Sequence, residues 1–214
     1  MRQGGEPALA VLILAAGQGR RMGRPKAMAP WRDGTLLDDA IRRARQLGLP
    51  VYVAVGAGYP LVRFRCSQVP ARWCRVPDFS EGMAASLREG LRRMPVNLAG
   101  ALVMPVDQPL VPLAHLRSLV KRARAQPEHP LATDAEGRAM APAYLPKSLW
   151  RELRALEGDH GARYLLRRQG VEAVPCRQAA ADLDTWQALR RADPAVLSRP
   201  APPARRYPRR IHQG

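Results

Sequence analysis

Residues 8–26 read ALAVLILAAGQGRRMGRPK. The first seven, ALAVLIL, form a short, continuous apolar run of the kind that makes a strand buried on both faces. Glycine, arginine and lysine follow at once. Gly17 and Gly19 let the backbone turn sharply and approach a ligand with no Cβ in the way. Successive N–H groups in such a turn form a nest for phosphate oxygens. Arg21 and Lys26 add full positive charge, the first as a fork suited to bidentate contact, the second as a point charge. Neither common phosphate-loop template fits. Five residues separate Gly17 from Gly23, and Arg24-Pro25 stands between Gly23 and Lys26. The glycines themselves run G-x-G-x-x-x-G. The plain alternative is a strand-to-helix turn with exposed arginines.

Outward from this stretch, helical and apolar segments alternate. Thr35 can cap a helix carrying Leu37, Ile41, Ala44 and Leu47 at helical spacing and ending near Gly48. VYVAV (51–55) reads as a second buried strand, and a short strand is expected near Trp73–Val76. Ser80 can cap a helix through Met94, with Met83, Leu87, Leu91 and Met94 on one face and both methionines in the core. ALVMPV (101–106) is a third strand, ending at Asp107, and a helix follows Pro112. The Pro- and Gly-rich segment 127–145 predicts an irregular strand or hairpin. Helices are expected over 147–156 and 160–169, a strand near 171–175, and a last helix from Thr185 to Ala192. This order predicts an α/β, Rossmann-like, three-layer fold with an open, mostly parallel sheet covered on both faces. Ligands bind such sheets at the carboxyl ends of the strands, so the loop after Leu14 and the turn after Val106 should share one rim. We expect a loose N-terminus (1–7), one domain over 8–193, and a disordered Pro- and Arg-rich tail over 194–214.

The 214 residues are 46% hydrophobic and 25% charged, ordinary for a globular chain, and no window approaches the roughly 20 apolar residues of a membrane span. Glu6 before the first apolar run and the arginine-rich loop after it favour a strand there over a signal peptide. Cys66, Cys74 and Cys176 are scattered and odd in number, which fits a reducing cytoplasm and suggests neither zinc nor a disulfide framework. The net charge is +17, and only Lys26, Lys121 and Lys147 are lysine. A basic surface attracts many anions. No aromatic residues interleave with the basic ones to stack bases, and only two Phe are present, which argues against a nucleic-acid binder.

The segment LAAGQGRRMGRPK (14–26) resembles the L-A-(A/G)-G-x-(G/S)-x-R-M-G-x-x-K signature of the nucleotidyltransferase superfamily that activates sugar phosphates and cofactor precursors. Further stretches agree with that likeness: FSEGMAASLREGL (79–91), PVDQPLV (105–111), EGDHGARYLL (157–166) and DLDT (182–185). Together they look most like the molybdenum-cofactor cytidylyltransferases and their close relatives, over about residues 8 to 190. The resemblance implies the nucleotide-diphospho-sugar transferase type of fold and the coupling of a nucleoside triphosphate to a phosphorylated acceptor, molybdopterin above all, with release of pyrophosphate. Ala15-Ala16-Gly17, in place of A-G-G, implies CTP. In place of the Gly-His-Pro that close relatives carry around the second substrate stands Met140-Ala141-Pro142, which leaves the acceptor open.

The implied chemistry suits these residue types. A phosphomonoester has a second pKa near 6, so the nucleophile is already deprotonated and needs no general base. What remains is to hold two anions in line and neutralise charge. By the likeness, Arg21, Lys26 and Asp107 are catalytic. Leu14, Ala15, Ala16, Gly17, Gly19, Gly82 and Ser86 join Arg21 and Lys26 in binding the nucleotide. Asp107 and Asp184 hold Mg²⁺, with Asp182 the weaker choice for the second ligand. Each has a bland counterpart: Asp107 as a turn cap before proline, Asp182 or Asp184 as a helix cap before Thr185, Ser86 as a helix serine bonded to a carbonyl, and His160 as a surface side chain. Two other functions stay open. One is a guanylyl- or uridylyltransferase for another phosphorylated acceptor. The other is a non-catalytic nucleotide-binding maturation protein whose basic tail docks on a molybdoenzyme or its chaperone.

Overall fold

The computed structural model describes residues 6–156 and 171–197. Seven strands form one sheet in the order β5-β4-β1-β6-β8-β7-β9. They are β1 (Leu9–Ala15), β4 (Val51–Val55), β5 (Arg72–Arg75), β6 (Gly100–Pro105), β7 (Leu131–Ala135), β8 (Arg138–Pro146) and β9 (Glu172–Pro175). The first four in space run parallel, and the apolar run that opens the sequence, β1, lies inside the sheet between β4 and β6. β8 is the reversed strand, antiparallel to both β6 and β7, while β9 runs parallel to β7. A small antiparallel pair, β2 (Pro30–Trp31) and β3 (Gly34–Thr35), follows the glycine loop.

Side-chain alternation along β1 builds both layers. Leu9, Val11, Ile13 and Ala15 pack into one core with α1 (Leu36–Arg45), α4 (Leu113–Ala125) and Leu189 of the C-terminal helix α6 (Trp186–Ala192). Ala10 and Leu12 pack into the other, with α3 (Met83–Arg92) and α5 (Trp150–Arg154). Helix α1 begins as its sequence suggests. The Thr35 hydroxyl accepts from the Asp38 N–H at 3.1 Å, and Asp38 Oδ2 accepts from the Thr35 N–H at 2.9 Å, a closed capping box. The other Asp38 oxygen accepts from the Ser67 and Gln68 N–H groups, so one buried carboxylate also pins the loop after α2 (Leu61–Arg65). Burial would raise the Asp38 pKa, but these hydrogen bonds outweigh it and hold the group below its ordinary value.

Several expectations need correction. The helix does not start at Ser80. A 3₁₀ turn covers Phe79–Glu81, and Gly82, at φ 104°, turns the chain before α3 starts at Met83. Met94 lies past the end of α3 yet is buried, whereas Met83 is 44% exposed and is not core. The Pro- and Gly-rich middle is, as expected, an irregular hairpin: β7 and β8 turn at Glu136–Gly137, both at positive φ, and their register shifts between Leu131 and Thr133. Over 147–156 the helix is a 3₁₀ turn (Lys147–Leu149) and then the short α5. Helix α2, with no strong periodicity, was not anticipated. The expected helix over 160–169, with Asp159 and His160, lies outside the described residues, as do 1–5 and 198–214 of the expected loose ends. Of those ends, Glu6 pairs with Arg124 at 3.0 Å and Pro194–Leu197 makes one 3₁₀ turn.

The register settles the geometry of the rim. Leu14 is paired with Pro105, and the Val106 N–H donates to the Leu14 carbonyl at 3.2 Å. The glycine loop and the Asp107 turn therefore leave the sheet side by side.

Candidate active site

Past Ala15 the chain folds into two 3₁₀ turns, Arg20–Met22 and Lys26–Met28. Gly19 opens the first in the left-handed region, at φ 61°. A Cβ there would lie 2.0 Å from the Arg24 carbonyl oxygen, so the fold itself demands glycine. Gly17 differs. A Cβ there would meet nothing within 4 Å, and the open space beside it is the cleft. The backbone N–H groups of Gly17, Gln18 and Gly19 have no hydrogen-bond partner among the described residues, an arrangement that could nest an anion. Met22 is buried and anchors the loop from below. From across the molecule, the Trp186 indole N–H donates to the Met22 carbonyl at 3.0 Å, and Arg24 lies 5.1 Å from the Trp186 ring centroid. Helix α6 thus latches the loop, a contact with no local signal in the sequence.

The loop carries Lys26 back over the rim to meet two carboxylates. Its ammonium donates to Asp107 Oδ2 at 2.6 Å and also to Asp184 Oδ1. Arg21 reaches Asp184 Oδ2 at 3.4 Å. Burial alone would lower the Lys26 pKa, but Asp107 and then Asp184 overcome it and hold the ammonium above its ordinary value. Burial likewise pushes Asp184 up, and the Lys26 hydrogen bond and charge more than reverse it, leaving Asp184 below its ordinary value. Lys26, Asp107 and Asp184 keep 16–33% of their side-chain area exposed, so the cluster is reachable from solvent. Two carboxylates converging on one cation form a ready pair of oxygen ligands. Among the described residues no group of three or more His, Cys, Asp or Glu side chains could hold a metal. Two protein oxygens suit Mg²⁺, which keeps its other positions for substrate phosphates and water.

The acidic motifs meet because the backbone brings them together. The Leu183 N–H donates to the Asp107 carbonyl at 2.9 Å. The Gln108 amide N–H₂ donates to the Ala179 carbonyl at 3.1 Å and to Asp182 Oδ1 at 3.0 Å. Arg43 of α1 donates to the carbonyls of Gln108 (3.2 Å) and Val111, fixing the turn that presents Asp107. Sequence reasoning missed Gln108, Arg43 and Trp186. All three act on backbone or side chains distant in sequence, and only Gln108 lay inside a motif.

A cleft of about 490 Å³ runs along this rim. Leu14, Ala15, Ala16, Gly17 and Gly19 line one side, with Arg21 and Lys26 above, and Asp107 and Asp184 close one end. Gly82 and Ser86 line the facing side, with Phe79, Ser80 and Met83, which the sequence analysis did not place at the site. Ser86 is buried, and its hydroxyl makes no hydrogen bond to a described residue, so it is not bonded to a helix carbonyl. All the expected site residues thus line one cavity. Asp182 instead faces a second, smaller one. This slot of about 90 Å³ adjoins the cleft at Leu14, Met83, Pro105 and Asp107, and is walled by α3, β6 and β8.

The MobA-like NTP transferase domain matches residues 11–174, across the sheet and both halves of the cleft. The chain belongs to that family. Among its relatives, nicotine blue oxidoreductase of Paenarthrobacter nicotinovorans is 29% identical over 86% of this chain and 96% of its own length. The molybdenum cofactor guanylyltransferase of Pseudomonas aeruginosa is 28% identical over 78% of this chain and 84% of its own. The molybdenum cofactor cytidylyltransferase of Escherichia coli is 33% identical over 38% of this chain and 43% of its own. Rv0371c of Mycobacterium tuberculosis superposes with a TM-score of 0.76 at 28% identity, covering 86% of this chain and 97% of that one, and its complex with manganese superposes at 0.74. The fold is therefore the one expected, and the nucleotidyltransferase family is established. No helix among the described residues is long and apolar enough to cross a membrane.

Proposed function

We propose that this MobA-like chain is a Mg²⁺-dependent nucleotidyltransferase that joins CTP to a phosphorylated acceptor, molybdopterin first among candidates, and releases pyrophosphate. The observation that carries the reading is the meeting of Lys26, Asp107 and Asp184 at the end of a cleft lined by the free N–H groups of the glycine loop. In this reading the N–H groups of Gly17 to Gly19, with Arg21 and Lys26, hold the β- and γ-phosphates, while Gly82 and Ser86 face the base and ribose. An acceptor phosphate oxygen attacks the α-phosphorus, and the bond to the bridging oxygen of the β-phosphate breaks. The electron pair leaves with pyrophosphate, whose charge Arg21 and Lys26 stabilise. Asp107 and Asp184 would hold the divalent ion, which when bound neutralises phosphate charge. Freed from the carboxylates, Lys26 turns its charge to the phosphates. No general base is required.

CTP is favoured by Ala15-Ala16-Gly17, and a reducing cytoplasm suits three buried free thiols. The basic segment beyond Leu197 is the candidate contact for a molybdoenzyme or its chaperone. Pyrophosphate release, measured with molybdopterin and each of the four NTPs with and without Mg²⁺, tests the reading. Turnover with CTP that requires Mg²⁺ is expected. Nucleotide binding without turnover of any NTP would favour a nucleotide-carrying maturation protein instead.

A further inference from the structure

The glycine loop is tied to the rest of the protein at few points. Among the described residues, the backbone of residues 17–28 hydrogen-bonds only within itself, with one exception. That exception is the Met22 carbonyl, which accepts from the Trp186 indole N–H at 3.0 Å. The Met22 and Gly23 N–H groups donate to the Gly19 and Arg20 carbonyls at 2.8 and 3.3 Å, closing the turn on itself. Apart from Trp186, the polar ties that leave the loop are ionic: Lys26 with Asp107 and Asp184, and Arg21 with Asp184.

Trp186 reaches the loop from a fixed base. It opens α6 two residues after Asp184, and the chain is fastened on both sides of it. The Leu183 N–H bonds the Asp107 carbonyl at 2.9 Å, the Thr185 hydroxyl caps α6 by accepting from the Ala188 N–H at 3.1 Å, and Leu183 and Leu189 are buried. The indole ring also takes up Arg24, which does not line the cleft. Arg24 thus lends its charge to the ring face and not to the nucleotide.

A ligand affects the two kinds of tie differently. In the proposed reaction a divalent ion takes Asp107 and Asp184, and Arg21 and Lys26 turn to the phosphates. The ionic ties are then given up just when the loop has to hold still. Neither Met22 nor Trp186 lines the cleft, so the ligand does not compete for the bond between them. We propose that Trp186 is a positioning residue for the ligand-bound state. It keeps the glycine loop, and with it the N–H groups of Gly17 to Gly19, at the cleft while metal and triphosphate draw Arg21 and Lys26 off Asp184. This rests on the proposal that the chain transfers nucleotides with a divalent ion. Without the latch, the cost of ordering the loop would be subtracted from nucleotide affinity.

Hydrogen exchange at the Met22 and Gly23 amides of the full chain reads the fastening directly. In the wild type, Mn²⁺ alone should leave their exchange unchanged. Trp186→Phe keeps a ring for Arg24 and removes the donor. Its exchange should match the wild type without metal and rise roughly 5- to 10-fold with Mn²⁺ bound, and its CTP affinity in calorimetry should be about 10-fold weaker. A residue that only stabilises the fold would speed exchange equally with and without Mn²⁺. That result, or a wild-type CTP affinity, would overturn the proposal. A second arm needs no metal. Asp184→Ala removes two of the three ionic ties. Alone, each substitution should leave exchange near the wild-type rate, and the two together should raise it by about 10-fold or more, because each tie covers for the other. Single effects that merely multiply in the double variant would overturn the latch. Should the wild type bind no Mn²⁺ while the double variant behaves as expected, the metal reading fails and the latch stands.

Discussion

The cleft and the slot touch at Asp107, and opposite chemistry builds them. The cleft is made by what the glycine loop leaves open: N–H groups with no described partner, three basic or acidic side chains in mutual contact, and an edge without Cβ atoms. The slot is made by what β8 leaves small, alanines where larger side chains would fill the layer. One presents charge, the other apolar shape. The first needs a specific run of residues in one place, so it can be written as a motif. The second needs only a shortage of volume between strands that are far apart in sequence, so no short pattern encodes it. The difference predicts that substitutions on the two sides will separate, those in the cleft acting on the nucleotide and those in the slot leaving it unchanged.

The largest expected effect lies where the two cavities join. Asp107→Ala should lower turnover by at least about 10³-fold, measured as pyrophosphate release, while the melting temperature stays near that of the wild type. Near-normal turnover would remove the proposed metal site. On the slot side, Ala143→Leu fills the space and should leave CTP binding unchanged in calorimetry. A CTP affinity that falls with it would show that the cavities are one site. The glycines sharpen the cleft side. Gly19→Ala places a methyl against the Arg24 carbonyl and should cost roughly 1–3 kcal/mol in thermal or urea unfolding. Gly17→Ala, with open space around it, should leave unfolding unchanged and weaken CTP alone.

The smallest effect is on pH. His115 is buried on α4, and its Nε2 lies 2.9 Å from the Thr133 hydroxyl, which itself donates to the Pro142 carbonyl at 2.6 Å. The histidine therefore donates as a neutral ring and braces the strand that walls the slot. Burial holds its pKa below the ordinary 6.5. As pH falls, the unfolded chain takes up this proton first, so stability that is full above about 6.5 is lost below it. A melting temperature that declines by a few degrees between pH 6.5 and 5 is expected, and His115→Gln should flatten that window. A decline of the same size in the variant would assign it to other groups.

Legibility followed the same division. The strands β1, β4 and β6 were readable because continuous apolar runs have few alternatives, and Thr35 was readable as a cap because its partner Asp38 lies three residues on. The expected site residues from Leu14 to Lys26, with Gly82, Ser86, Asp107 and Asp184, line one cavity because a long motif already fixes most of them relative to each other. The start of α3 was misplaced because Gly82 stops one turn and begins another, which composition does not reveal. Met83 was assigned to the core because helical periodicity marks a face but not what covers it. Here the face opens onto the cleft and the slot. Gln108, Arg43 and Trp186 stayed hidden because each acts across 60 to 170 residues of chain, where only the fold sets the distance.

The central claim is that Lys26 yields its place between Asp107 and Asp184 to a divalent ion carrying the triphosphate. Anomalous scattering from crystals of the full chain grown with CTP and Mn²⁺ measures this directly. The account predicts a manganese peak bonded to oxygens of both Asp107 and Asp184 and of the triphosphate, with Lys26 turned onto the phosphates and the glycine-loop N–H groups around the β- and γ-phosphates. A bound triphosphate with Lys26 still bridging the two carboxylates, or manganese held elsewhere, would contradict it.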